Sequence, residues 1–515
     1  MDTRKPPLGK HDLALSSVMS QFSSVSIKKP VLAWLIAISA LSGVATWMAP
    51  LDFFSTDIIP LVVVGTVFAL LLVVVLGLAI TRNQPMRVII YRLTLLIWWT
   101  VLVCETIFER LGDSTQASES HFSVQAYSEG IVWVLAFLAL ATLSLQRPQY
   151  LRCLFSGLNK WITLFALVCV FSVAYTPGKT YAGAWAFKLV LVTLLLQLSA
   201  SVLAGIGDIV TFLKVSLWGF FVLTVVPAVE VFGDPSSAFE GVGGRLNTLP
   251  GPDALTMTGA LLLLLSVILY SLEKNRVMIF TGFVASIVML LSMGKSAILA
   301  SLFSVMLFLL LQKQLGRSII VLLGIGAIAF GVLSLTPVAQ HLESYEGATT
   351  LTGRTVIWSD GLAAIKQKWL LGHGYQSSYF DTVVGHLHNG FLEVTYNSGI
   401  IALALMLVLH FMILRNSYLA IRDAALLRAE KPYDREISRA YILAVGSLAL
   451  YANLTINGMF NATFGGRPRS PFMLFIALFL LVNSLRRYIA NKLGSEVSDE
   501  RLEPVWVPLG APARS

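Results

Sequence analysis

The hydrophobic pattern of the chain is a series of apolar runs, each about 20 residues long, separated by short polar connections. A run of this length is typical of a helix that crosses a lipid bilayer. Repeated runs predict an all-α polytopic membrane protein with about twelve to fourteen transmembrane helices. A β-barrel is excluded, because barrel strands alternate polar and apolar positions over about ten residues. The predicted spans are 31–48, 58–80, 88–108, 130–145, 161–177, 184–203, 215–232, 257–272, 279–293, 297–312, 318–337, 390–414, 441–460 and 471–489.

The spans predict one transmembrane bundle, residues 31–492, with a polar tail at each end. Residues 1–30 lack the short apolar core and cleavage site of a signal peptide, so we expect an uncleaved cytoplasmic tail there. Residues 493–515 are predicted to form a second cytoplasmic tail. Within the bundle, residues 338–389 are expected to form a large periplasmic loop with short amphipathic helices. Residues 415–440 are expected to form a cytoplasmic helical hairpin.

Lysine and arginine are concentrated in alternate connections between the spans. The richest connections lie at 82–87, 147–160, 274–276, 313–317 and 415–440. Cytoplasmic loops of membrane proteins carry such an excess. The pattern therefore predicts that both termini are cytoplasmic and that the segment 351–399 lies outside the cytoplasm.

The composition agrees with a membrane protein. The chain is 56% hydrophobic and 13% charged, with a mean hydropathy of +0.77, whereas a soluble domain is about a quarter charged. The net charge of +9 is explained by the basic loops, and nucleic-acid binding is disfavoured because no soluble basic domain is present. The three cysteines are not spaced as metal ligands, and they predict neither a disulfide framework nor a metal site.

The segment 351–399 is polar, unlike its surroundings, and it contains His373, His386 and His388. Four large apolar residues at the start of the segment follow the period of a helix, and they predict an amphipathic helix over 355–371. These residues are Trp358, Leu362, Ile365 and Trp369. We expect this face to lie at the membrane surface or to pack on the bundle, and the two alternatives are compatible.

Among the cations predicted at the outer side, against the usual distribution of charge, six are candidates for a binding site: Arg245, Arg354, Lys295, Lys188, Arg467 and Arg469. One interpretation is that they line a single outward-facing cavity with positive charge. The other is that each is an isolated loop residue, or a side chain that reaches from the bilayer toward water. The first interpretation is favoured for Arg245 and Arg354, because the glycines beside them allow a ligand to approach the backbone.

His388 is the candidate general base of this segment, and His386 is a weaker candidate. A neutral imidazole can take a proton from a hydroxyl group, and arginine can grip a diphosphate through paired hydrogen bonds. A base and a clamped diphosphate are sufficient to move a sugar from a lipid diphosphate to an alcohol, without a metal ion or a cofactor. The alternative is that His388 only caps the helix that follows it. The sequence GKS at 294–296 is not a phosphate-binding loop, because position 289 is Met rather than Gly.

These motifs resemble the superfamily of O-antigen ligases and Wzy-type polymerases. The resemblance is carried by GRTVIW at 353–358, LLGHGY at 370–375 and HNGFLEVTYNSGIIAL at 388–403. Within the superfamily, the sequences of the first and third of these motifs resemble those of exopolysaccharide repeat-unit polymerases most. GRLNTLPGPDAL, around Arg245, and SMGKS, around Lys295, are similar to two further motifs of the family.

The resemblance implies a GT-C type glycosyltransferase in the bacterial inner membrane, with its active site facing the periplasm. Undecaprenyl-diphosphate-linked saccharides would be its substrates and the bilayer its surroundings, with a chain-length regulator or flippase as a possible partner. His388 would be the base, and Arg354, Arg245, Lys295 and Lys188 would hold the donor diphosphate. Acceptor contacts in the outer cavity are expected from His386, Glu393, Arg467 and Arg469.

The sequence therefore predicts a polymerase of lipid-linked oligosaccharide repeat units that makes a surface or secreted polysaccharide. An O-antigen ligase, which transfers polysaccharide to lipid A-core, shares the donor chemistry and is the first alternative. A flippase or transporter of lipid-linked saccharides is the alternative from another class. Transporters tend to have repeated halves and polar breaks near the middle of the bilayer, whereas the unusual residues of this chain collect at one face.

Overall fold

The computed structural model describes residues 86–112, 157–203, 205–233, 252–292, 294–314, 354–380, 387–461 and 468–493, together with a few isolated positions. These residues form eleven helices: α1 Met86–Gly112, α2 Asn159–Ser172, α3 Lys179–Val202, α4 Ile206–Gly233, α5 Pro252–Glu273, α6 Arg276–Ser292, α7 Lys295–Leu311, α8 Arg354–Gln367, α9 Gly390–Glu430, α10 Arg435–Phe460 and α11 Ser470–Lys492. Two 3₁₀ turns, Val173–Tyr175 and Ser377–Phe380, complete the described regular structure, which contains no strand.

Six of these helices are long and apolar enough to cross a membrane, namely α3, α4, α5, α9, α10 and α11. Shorter apolar helices are provided by Ile90–Val103 within α1, by α2 with its 3₁₀ extension, and by α6 and α7. The chain is an all-α polytopic membrane protein, as its hydrophobic pattern predicts. The predicted spans 31–48, 58–80, 130–145 and 318–337 and the tail 1–30 lie outside the described residues, apart from isolated positions, as does the tail 493–515 beyond Leu493.

Helix α9 differs most from its predicted span, because it continues past residue 414 as far as Glu430. The extension is amphipathic, and Asn416, Ala420 and Leu427 are buried along one side of it. Hydropathy detects only the apolar part of such a helix, which explains the early predicted end. Residues 415–440 are therefore helical on both sides of a short turn, and Asp434 caps the start of α10 by accepting hydrogen bonds from two backbone N–H groups.

Close backbone approach and small polar contacts hold the bundle together, as is usual for helices in a membrane. Helix α5 packs against α4, α6, α7 and α10, and α9 packs against α2, α10 and α11. Between α5 and α6, a side chain at Gly259 would press on the carbonyl of Ala285, and the hydroxyls of Ser266 and Thr281 lie 2.8 Å apart. Helix association is therefore governed by shape and hydrogen bonds as well as by apolar area.

The two ends of the bundle are held by different contacts. At one end, called the Glu273 end, Lys214 and Arg439 approach the Glu273 carboxylate at 2.6 and 3.7 Å. At the opposite end, called the His388 end, α7, α9 and α11 begin and α10 terminates. Asn389 of α9 donates from Nδ2 to the carbonyl of Met459 (3.0 Å), and Asn461 donates from Nδ2 to Ser296 Oγ (3.1 Å). These bonds join the starts of α9 and α7 to the end of α10.

Candidate functional site

His388 lies immediately before α9, in a backbone conformation that is unusual for its residue type. Its side chain is half-buried and its φ is +48°, in the left-handed region that side-chain-bearing residues rarely adopt. Such a conformation costs about 1–2 kcal/mol, and strain of this kind tends to collect at functional sites. The helix cap is Asn389, whose Oδ1 accepts from the backbone N–H groups of Phe391 and Leu392 at 3.0 and 3.1 Å. His388 therefore does not cap the helix.

Arg354 is the first residue of α8, which packs against the segment that carries His388. Trp358, one turn after Arg354, donates from Nε1 to the carbonyl of Leu387 at 2.9 Å. Residues four apart on a helix share a face, with Cβ atoms about 6 Å apart. The structure thus brings the start of α8, with its half-buried arginine, to the same part of the protein as His388.

The buried face of α8 differs from the predicted one. The helix contacts Leu387 and Tyr396 through Ile357, Ala364 and Ile365, and a side chain at Gly361 would overlap Leu387. By contrast, Leu362 is 48% exposed, and Trp369 lies beyond the helix end and is 58% exposed. The glycine allows the closest approach, so the packed edge is rotated toward it. The predicted packing on the bundle is confirmed for one edge of α8, and another edge presents exposed apolar residues.

Lys295 is exposed at the first position of α7, at the His388 end. The adjacent Ser296 accepts the hydrogen bond from Asn461, and Gly294 donates its N–H to Thr256 Oγ1 at 3.0 Å. The first residue of a helix lies beside unsatisfied backbone N–H groups and the positive end of the helix dipole. At both Lys295 and Arg354, a cationic side chain is therefore added to a helix terminus that already favours anions.

Lys188 is placed differently from the other predicted cations. It is fully buried in α3, with Nζ 4.7 Å from the ring centroid of Trp133 and 4.9 Å from that of Trp185. A cation over an aromatic face gains about 0.5–2 kcal/mol, most when it is desolvated. The two tryptophan rings stabilise the buried charge, and the Lys188 side chain is not accessible to solvent.

Of the remaining predicted site residues, Arg469 is half-buried directly before α11, at the His388 end. Arg245, His386 and Arg467 lie outside the described residues.

Glu393 is fully buried one turn into α9. Its carboxylate accepts hydrogen bonds from Ser378 Oγ, from Asn397 Nδ2 at 3.2 Å and from the backbone N–H of Leu387 at 3.3 Å. These contacts hold the carboxylate inside the protein.

A backbone junction joins the loop after α8 to a break in α9, and the sequence did not predict it. At Gly399 the helix adopts φ +75° and ψ −176°, which interrupts its hydrogen bonding. Tyr396 O then accepts from His373 N, Asn397 O accepts from Gly374 N (both 2.8 Å), and Ile400 N donates to Trp369 O at 2.9 Å. The loop therefore satisfies the polar groups that the break releases, as irregular backbone inside a membrane protein requires.

Glycines on both sides allow this junction, and they were the signal available in the sequence. A Cβ at Gly399 would overlap the carbonyl of Leu370, and one at Gly372 would press on the backbone N–H of Gly399. His373 lies between Gly372 and Gly374, and its ring stacks on Tyr396 with centroids 4.4 Å apart.

The polar loop after the junction is also buried, although the sequence suggests a solvated periplasmic loop. Tyr375, Gln376, Ser377 and Ser378 are each at most 3% exposed. Burial raises the pKa of the Tyr375 phenol well above its usual range. This loop supplies one of the hydrogen bonds to Glu393, so it contributes to the packing beneath His388.

The described part of the site combines an imidazole, two cations at helix starts and a buried hydrogen-bond network. Cations and helix N-termini favour an anionic group such as a phosphate, and the imidazole can accept a proton. Among the residues that the structure describes, no group of three or more His, Cys, Asp and Glu side chains is placed to hold a metal ion.

Residues 280–407 match a protein-family model described as O-antigen ligase. The matched region runs from α6 into α9 and includes Lys295, Arg354, His388 and Glu393. No curated protein matches the chain. This region of the chain is therefore similar to the O-antigen ligase family, and the family match and the helical membrane architecture support an enzyme of the ligase or polymerase type.

Proposed function

We propose that the protein is a membrane glycosyltransferase of the GT-C type that joins polyprenyl-diphosphate-linked oligosaccharide repeat units into a surface or secreted polysaccharide. One observation carries the proposal: His388 is held in a strained conformation at the same end of the bundle as the helix starts that bear Arg354 and Lys295. A base beside an anion-binding surface is the arrangement that sugar transfer from a lipid diphosphate requires.

In the proposed reaction, an acceptor hydroxyl attacks the anomeric carbon of the donor sugar. His388 takes the hydroxyl proton while the new C–O bond forms and the bond to the diphosphate oxygen breaks. The bonding electron pair leaves with the polyprenyl diphosphate, and direct displacement inverts the anomeric configuration. Arg354, Lys295 and Arg245 stabilise the negative charge that accumulates on the diphosphate. Charge neutralisation by side chains is the reason that we propose a metal-independent reaction.

The surface beside α8 supports a substrate that arrives from the bilayer. Trp369, Leu370 and Leu371 are about half exposed, and Lys366 and Lys368 are exposed close to them. Apolar side chains beside lysines suit the boundary between acyl chains and anionic headgroups. We propose that α8 lies at the outer surface of the inner membrane, where a lipid-linked donor would be within reach of Arg354.

The O-antigen ligase family match favours a second candidate, transfer of a finished polysaccharide to lipid A-core. The two candidates share the donor and the bond-breaking step and differ in the acceptor. A strain that lacks the protein should lose long polymer if it is the polymerase. The same strain should retain lipid-linked polymer that is not attached to lipid A if it is the ligase.

A direct test uses the purified protein in liposomes with a defined lipid-diphosphate-linked repeat unit. We expect longer lipid-linked products with the repeat unit as the sole acceptor, and equal rates with and without EDTA. Product that forms only with lipid A-core would favour the ligase. A strict requirement for a divalent ion would contradict charge neutralisation by side chains alone, and movement of substrate across the bilayer without a new glycosidic bond would indicate a transporter.

A further inference from the structure

We propose that Glu393 is a positioning residue that fixes the backbone on the N-terminal side of His388, and so aims the imidazole. This inference rests on the proposed function, in which His388 accepts the proton. It assigns Glu393 a role inside the protein, where its buried carboxylate lies, in place of the acceptor contact that the sequence suggested.

The two carboxylate oxygens of Glu393 make different contacts. Oε1 accepts from Ser378 Oγ and from Asn397 Nδ2, which attaches Glu393 to the buried loop and to its own helix. Oε2 accepts from the N–H of Leu387, the residue directly before His388. One oxygen is therefore anchored and the other holds the segment that carries the imidazole.

Both neighbours of His388 in the chain are held in place by hydrogen bonds. Leu387 is bound at its N–H by Glu393 and at its carbonyl by the indole of Trp358. Asn389 is fixed as the cap of α9 and tied to the carbonyl of Met459. A left-handed residue that costs about 1–2 kcal/mol persists only when its surroundings determine it, and these contacts provide that constraint.

The position of Glu393 requires a carboxylate. Among the described residues, Ser378, Asn397 and Leu387 donate to Glu393. An ionised carboxylate only accepts hydrogen bonds, whereas an amide offers one accepting oxygen and one donating nitrogen. In Glu393→Gln, the amide oxygen can replace Oε1, but the amide nitrogen then faces the N–H of Leu387. The substitution therefore removes the bond beside His388 while it preserves the size of the side chain.

The test measures kcat and donor KM of Glu393→Gln in the liposome assay. We expect kcat to fall by about ten- to a hundredfold, the scale of a small misplacement of a reacting group, with donor KM little changed because the diphosphate contacts remain. Thr281→Val is the matched control: it removes a buried hydroxyl contact between α5 and α6, and we expect wild-type kcat.

A double-mutant cycle with His388→Ala separates positioning from general destabilisation. If Glu393 acts through His388, Glu393→Gln should change the residual rate of the His388→Ala protein by less than about twofold. An equal loss in both backgrounds would overturn the proposal. If Glu393→Gln does not fold, Glu393→Asp, which keeps the charge but withdraws it by one methylene, is measured in the same cycle with the same expectations.

Failure of the inference is distinguishable from failure of the proposed function. Wild-type kcat in both Glu393 variants, with His388→Ala inactive, would overturn the positioning role and leave the glycosyltransferase intact. Absence of glycosidic bond formation by the wild-type protein would overturn the function itself.

Discussion

Arg354 combines a cationic side chain with the start of a helix that packs against the His388 segment. A guanidinium presents paired N–H donors to two phosphate oxygens, whereas an ammonium group is a point charge. We therefore expect Arg354→Lys to lose nearly as much transfer activity as Arg354→Ala, as measured by initial rates with a defined donor. Full activity in the lysine variant would show that charge alone is required.

A substitution at Lys188 tests whether every predicted cation belongs to the donor site. Its ammonium group is enclosed by Trp133 and Trp185, so we expect Lys188→Met to change the donor KM by less than about tenfold, which corresponds to ~1.4 kcal/mol of binding free energy. Arg354→Ala should change it more. A larger effect of Lys188→Met than of Arg354→Ala would mean that Trp133 or Trp185 moves aside to admit the diphosphate.

At the scale of the elements, the site depends on the junction between the loop after α8 and the break in α9. A methyl group at Gly399 would overlap Leu370 and would also occupy a left-handed backbone position. We expect Gly399→Ala to lower the thermal midpoint of the purified protein and to reduce transfer activity, since the break lies two turns from Glu393 on the same helix.

Gly157→Ala separates the two costs of that substitution. Gly157 also has a positive φ, +51°, but a Cβ there would meet no atom within 4 Å. It should therefore lose only the conformational term of about 1 kcal/mol, with activity unchanged. Equal destabilisation by the two substitutions would contradict a specific role for the junction.

The observed helices and site residues show how much of the structure could be predicted from the sequence. Apolar runs located ten helices, because hydropathy reports burial in lipid directly. The histidine at the start of α9 and the arginine at the start of α8 were found from motifs. The junction was missed because Gly399 lies within an apolar run that reads as one continuous span. Burial of Glu393 was missed because its partners Ser378 and Leu387 lie before the helix, 15 and 6 residues earlier in the chain. Helical periodicity does not predict contacts of that kind.

At the scale of the whole molecule, we propose that the Glu273 end faces the cytoplasm, because the connections rich in lysine and arginine are expected on that side. Tyr433, in the turn between α9 and α10, is 98% exposed at that end, and Ser359 is exposed on α8. In a protein whose three cysteines are replaced by alanine, we expect a membrane-impermeant maleimide on intact spheroplasts to label Ser359→Cys and not Tyr433→Cys. The reverse pattern would invert the proposed orientation.

The central claim is that His388 is the base of a sugar transfer from a lipid diphosphate. The most direct measurement is the rate at which purified wild-type and His388→Ala proteins extend a lipid-diphosphate-linked repeat unit in liposomes. A positioned base is worth about 10²–10⁴-fold, so we predict a loss of that size in His388→Ala, with folding and donor binding retained. Transfer by His388→Ala at close to the wild-type rate would contradict the account.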